Sequence, residues 1–163
     1  MKNPLVLSMA IGAAVIAVAV AAFVFVTRGA HIELTGEVLK VRTAPLDEHS
    51  SVAVVDFRFL NPADYPFMVR SVTVILEDKA GKQTEGSTVA ESDTQRLFDG
   101  VPLLGHKYNT TLIARDKIAP HTSQDRMVAA RFEVPEDMLE GRKRLLVRVD
   151  EVDGAESDLA EKK

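Results

Sequence analysis

Leu5 to Val26, LVLSMAIGAAVIAVAVAAFVFV, runs for 22 residues without a charge, a Pro, an Asn or a Gln. At about 1.5 Å per residue such a run reaches roughly 33 Å as a helix, enough for a hydrocarbon core of about 30 Å. It is therefore predicted to span a membrane, and the rest of the chain is expected at a bilayer surface. Secretory signal peptides carry apolar cores of about 7–15 residues, and the small-x-small sites Ala17-Val18-Ala19 and Ala19-Val20-Ala21 lie inside the run. Both points favour a retained anchor over a cleaved signal. Lys2 precedes the run and Arg28 follows it. A short tail before a large C-terminal domain predicts a cytoplasmic N-terminus and a periplasmic domain, single-pass in the inner membrane.

The predicted organisation is a tail at 1–4, a transmembrane helix at 5–26, a linker at 27–31, a β-sandwich domain at 32–152 and a flexible acidic tail at 153–163. About 130 residues beyond the anchor suit one domain. From Ala30 onward 18 Lys and Arg face 24 Asp and Glu, a net charge of −6. That balance argues against a nucleic-acid partner, which needs clustered basic residues to displace counterions. The chain has no Cys, so disulfides, thiolate chemistry and an acylated cysteine are excluded.

After Arg28 the continuous apolar pattern gives way to alternation, the mark of half-buried strands. Ile32–Arg42 is predicted to be extended, with a shift of phase between Val38 and Leu39 and a bend or bulge allowed by Gly36. Ser51–Leu60 is the clearest strand, with Ala53, Val55, Phe57 and Phe59 expected in the core and Val52, Val54, Asp56 and Arg58 on the other face. Asn61-Pro62 ends it. Phe67–Asp78 resumes extension up to a turn at Asp78–Lys82, and Gln83–Glu91, rich in Thr and Ser, suits an edge strand. Ser92-Asp93-Thr94-Gln95 has the spacing of a capping box and predicts a helix stopping near Gly100. Three more strands are expected at 109–114, 126–134 and 142–152, with one helical turn after Pro135. Seven or eight short strands without βαβ alternation predict an all-β antiparallel sandwich.

No pattern carries catalysis. The four His lack a ligand partner at a useful spacing, and Asp47-Glu48-His49 reads as a solvated loop. No nucleophile elbow or phosphate-cradling loop is present. The expectation is a non-enzyme without cofactor or metal. Asp56 and Arg58, sharing one strand face, are candidate contact residues together with Arg70, a neighbouring charge for a cross-strand ion pair with that face. Tyr65, Phe67 and Met68, after the Asn-Pro turn, form an apolar tip that is a second candidate contact.

Phe57–Gly81, FRFLNPADYPFMVRSVTVILEDKAG, resembles domains of the late-embryogenesis-abundant type 2 (WHy) class and related bacterial envelope domains: a strand ending in Asn-Pro, then a second strand and a Gly turn. Lys117-Ile118-Ala119-Pro120 leading into Met127–Pro135 is similar to the later strand pair of such domains. The resemblance implies an immunoglobulin-like sandwich, often tethered by an N-terminal helix, and brings no catalytic residues. The sequence therefore predicts an anchored sandwich that contacts an unknown protein partner or serves a structural role in the envelope. The alternative is a tethered module for a small ligand or lipid, with an apolar groove near Tyr65–Val69 or Val101–Leu104.

Overall fold

The computed structural model describes residues 12–22 and 33–162. The chain divides into two units, Met1–His31 and Ile32–Lys163. In the first, residues 12–22 form a helix, α1, whose side chains are exposed along its length. Among the described residues no helix is long and apolar enough to cross a membrane. The expected span extends past α1 at both ends, into residues 5–11 and 23–26, which lie outside the described residues, as do the tail at 1–4 and the linker at 27–31.

The second unit is mostly antiparallel β-structure, as the alternation predicts. Its elements are β1 (Thr35–Pro45), β2 (Ser51–Leu60), β3 (Phe67–Glu77), β4 (Gln83–Thr88), α2 (Glu91–Gly100), a single 3-10 turn (Pro102–Leu104), β5 (Lys117–Ile118), β6 (Ser123–Phe132), α3 (Glu136–Glu140), β7 (Arg144–Glu151) and β8 (Glu156–Ala160). The strands run in the order β1-β2-β6-β4-β3-β7-β8, with β5 on β3. The sheet comes close to closing on itself: the Leu34 N–H donates to Ser157 Oγ at 2.8 Å, and Lys162 reaches Glu37 at 2.9 Å.

The core follows the period of two. Ala53, Val55, Phe57 and Phe59 of β2 point inward, as expected, against Val72, Val74 and Leu76 of β3 and Leu145, Val147 and Val149 of β7. The phase shift in β1 is a bulge between Val38 and Lys40. It turns Leu39 out to solvent while Val38 and Val41 both pack on the core. A second cluster lies on the outer face of β2 and β6, where Phe98 of α2 and Leu104 cover Val52, Val54, Met127 and Ala129. Strand β2 is thus buried on both faces from Ser51 to Phe57.

Four expectations are corrected. Gln83–Glu91 is not an edge: β4 pairs with β3 through Gln83–Gly86 and with β6 through Ser87 and Thr88, joining the two halves of the sheet. Gly86 makes this crossing feasible, since a Cβ there would stand 2.7 Å from the buried ring of Phe132. The helix begins one residue before Ser92 and has no side-chain cap; Ala90 is its cap, and Thr94 Oγ1 donates back to the Ala90 carbonyl. Residues 109–114 form no strand, only a parallel bridge from Thr111 to Met127. The tail expected to fray from 153 instead contains β8, paired with β7 from Leu146↔Ala160 to Asp150↔Glu156. Ser157 and Leu159 face inward, and the acids at 158 and 161 meet cations: Arg148 binds Asp158 through two bonds of 2.8 and 2.9 Å, and Arg142 binds Glu161 at 2.6 and 2.9 Å.

Candidate functional site

Asp56, Arg58 and Arg70 do not meet. Asp56 and Arg58 share the outer face of β2, but α2 and the chain following it cover only the Asp56 end. Arg58 stays in solvent and grips Asp125 of β6 through two bonds of 2.6 and 2.8 Å. That pairing raises the Arg58 pKa and lowers that of Asp125, the hydrogen bonds between the two being the largest cause in each case. Arg70 lies on β3 at a bulge between Val69 and Ser71, with Asp150 of β7 at 3.9 Å; Ser71 Oγ also donates to that carboxylate.

Asp56 is the acceptor at the centre of a buried polar cluster. Arg42, on the neighbouring strand β1, donates to Asp56 Oδ2 at 2.7 Å, and Asn109 donates to Oδ1 at 2.8 Å. The same guanidinium donates to the carbonyls of Leu104 and His106 at 2.6 and 2.7 Å. It also lies 5.2 Å from the Phe98 ring centroid and 5.3 Å from that of Tyr108, within cation–π range. The side chains of Arg42 and Asp56 are only 8% and 5% exposed. This arrangement pins the segment after α2 onto the sheet, so Asp56 holds structure and is closed to an outside partner.

Of the apolar tip, Phe67 is wholly buried, whereas Tyr65 and Met68 are exposed. Asn61 shapes the tip: its side-chain amide donates to the Tyr65 carbonyl at 2.9 Å and the Ile118 carbonyl at 3.2 Å, while its Oδ1 accepts from the Ala63 N–H. The Asn of the Asn-Pro turn is thus a buried brace for the loop that presents Tyr65.

A groove of about 550 Å³ opens where β4 turns away from β3 and the chain at Thr111–Ala114 has yet to join it. Arg70, Val72, Val89, Glu91, Leu112 and Ile113 line it. Burial of the Glu91 carboxylate opposes its charge, but the Lys107 ammonium at 2.7 Å, helped by the Thr111 hydroxyl, outweighs this and lowers its pKa. Sequence reasoning placed an apolar groove elsewhere. Val69 and Leu104 are sealed in the two cores, and a depression of about 360 Å³ lies beside Pro102. No local pattern in the sequence marks this groove, because its walls come from three separate stretches, Arg70–Val72, Thr88–Ser92 and Thr111–Ala114.

Asp47, Glu48 and His49 line an open hollow of about 650 Å³ with Arg131 and Glu133. Asp47 accepts from the Ser50 hydroxyl at 2.6 Å and the His49 N–H at 2.8 Å, and these bonds lower its pKa. It is the pivot of a tight turn. Among the described residues no group of three or more His, Asp or Glu is placed to hold a metal.

No protein-family model matches the chain, and no curated protein matches it. The chain is similar to the X-ray structure of Northeast Structural Genomics Consortium target SoR45, at 15% identity over 80% of each chain with a TM-score of 0.32. A likeness of that size carries no argument about activity or partner.

Proposed function

We propose that this chain is a single-pass inner-membrane protein whose β-domain lies outside the cytoplasm and acts without catalysis, by contacting a protein partner or as a structural element of the envelope. The observation that carries the reading is α1. Its Val15, Ile16, Val18 and Val20 are all exposed, in the middle of a 22-residue run without a charge. A helix that is apolar on every side calls for an apolar surrounding, and a bilayer supplies one. For the domain we favour an immunoglobulin-like sandwich. Strand β4, which passes from pairing with β3 to pairing with β6, supports two facing layers joined by a shared strand. The likeness of Phe57–Gly81 to tethered WHy-type domains agrees with this.

Protease treatment of intact spheroplasts tests the topology. The β-domain is expected to be degraded while cytoplasmic markers survive; protection of the domain until the membrane is opened overturns the reading. A second reading, a tethered ligand-binding module, rests on the groove between Val72, Val89 and Leu112. Native mass spectrometry of the detergent-extracted chain tests it, and a bare protein mass across preparations counts against it.

A further inference from the structure

The strand register sorts the loops of the β-domain into two ends. Thr35, at the start of β1, pairs with Leu60 at the end of β2, which pairs with Ser123 at the start of β6. Phe67 and Met68 at the start of β3 pair with Ile118 and Lys117, and the Met68 carbonyl accepts from the Val152 N–H at 3.1 Å. Leu34 is bonded to Ser157 at the start of β8. The proximal end, where the chain arrives from the apolar run, therefore carries the Asn61–Pro66 loop, the β5–β6 turn and the β7–β8 turn. It also carries four exposed apolar side chains: Leu60 at 37%, Tyr65 at 44%, Met68 at 41% and Val152 at 52%.

We propose that this end is a lipid-contacting face, with Tyr65, Met68, Val152 and Leu60 seated in the headgroup layer of the membrane that holds the anchor. The inference rests on the anchored reading above. Six peptide steps separate Val26 from Ile32, and at about 3.5 Å each they reach at most roughly 20 Å. The polar layer of a bilayer is itself about 5–8 Å deep on each side. A tether of that length limits how far the start of β1 can stand from the headgroups, and a bilayer is the apolar surface always within its reach. Tyr and Met suit the interface, having apolar bodies of moderate polarity. Charges of both signs share this end, Glu33 and Asp64 with Lys117, so the contact requires no anionic lipid.

The absence of Cys from the sequence makes the test direct. Met68→Cys, Val152→Cys and Met138→Cys, each in the full chain, give single thiols for an environment-sensitive fluorophore. All three side chains are exposed, so the changes leave the core alone. Met138 is the control: it lies on α3 after Phe132, which pairs with Ser51 nine positions along β2 from Leu60, roughly 30 Å from the proximal end. The protein is placed in phosphatidylcholine vesicles containing a headgroup-nitroxide lipid. Quenching at 68 and 152 is expected to exceed that at 138 by at least about twofold. Vesicles that carry the protein through flotation yet quench all three positions equally overturn the inference alone. A chain that fails to float with the vesicles overturns the anchored reading and this inference together.

Discussion

Replacing Asp56 by Ala removes the acceptor for both Arg42 and Asn109 and leaves a guanidinium whose side chain is 8% exposed with only the Leu104 and His106 carbonyls to bind. Breaking one partner of a buried ion pair costs about 3–5 kcal/mol, and the two retained carbonyl bonds place this change near the lower figure. With a urea m-value of about 2 kcal/mol/M for a domain of this size, the midpoint should fall by roughly 1.5 M. Arg42→Ala should cost more than Asp56→Ala, because it also uncovers Phe98 and Tyr108 and frees the segment after α2. Removing both charges together, Arg42→Met with Asp56→Leu, should recover most of the loss, since the neighbours Val52, Val54 and Met127 are apolar. The assay is urea unfolding of the detergent-solubilised chain followed by far-ultraviolet circular dichroism, the chain having no Trp. A loss of under about 1 kcal/mol for Asp56→Ala would show that the cluster is solvated in solution and would refute the reasoning.

Two further outcomes follow from packing and charge. Glu77 receives Lys143 and Arg144, each at 2.6 Å, and these hydrogen bonds lower its pKa from 4.5; the bond from Arg148 does the same for Asp158. Because the folded-state pKa values are depressed, the unfolded chain binds protons first. The urea midpoint should therefore stay level from neutral pH to about 5 and fall as pH drops below about 4.5, and Glu77→Gln should shrink that acid loss; an unchanged acid limb in the variant would contradict this. Gly86→Ala sets a methyl 2.7 Å from the Phe132 ring, which the core holds in place, so unfolding should be easier by about 1–3 kcal/mol, a result that an unshifted midpoint would disprove.

What the sequence revealed depended on how local the cause was. Strand β2 and the turn of helix between Pro135 and Gly141 were legible because alternation, Pro and Gly act within a few residues. Strand β4 looked like an edge because Thr, Ser and Gly carry little apolar signal. Its place in the middle follows from Gly86, whose lack of a side chain makes room for a ring 46 positions away. The acidic composition of the tail hid β8, although Ser157 and Leu159 alternate with Asp158 as a half-buried strand requires; the arginines that neutralise it sit on β7 and the turn before it. Asp56 was misplaced on the solvent face because its cover comes from α2 and Asn109, brought over the sheet only by the tertiary fold. In the apolar tip the alternation itself separates buried Phe67 from exposed Met68, and the exposed half coincides with the end at which the chain arrives.

The most direct test of the anchored reading is flotation of native membranes after an alkaline carbonate wash, comparing the full chain with Val15→Lys plus Val18→Lys. Each Lys near the centre of a span costs about 2.5–3.5 kcal/mol to insert. The parent chain should float with the lipid after the wash, and the double variant should be released with the soluble fraction. Release of the parent chain, or equal retention of the two, would contradict a membrane-spanning anchor at residues 5–26.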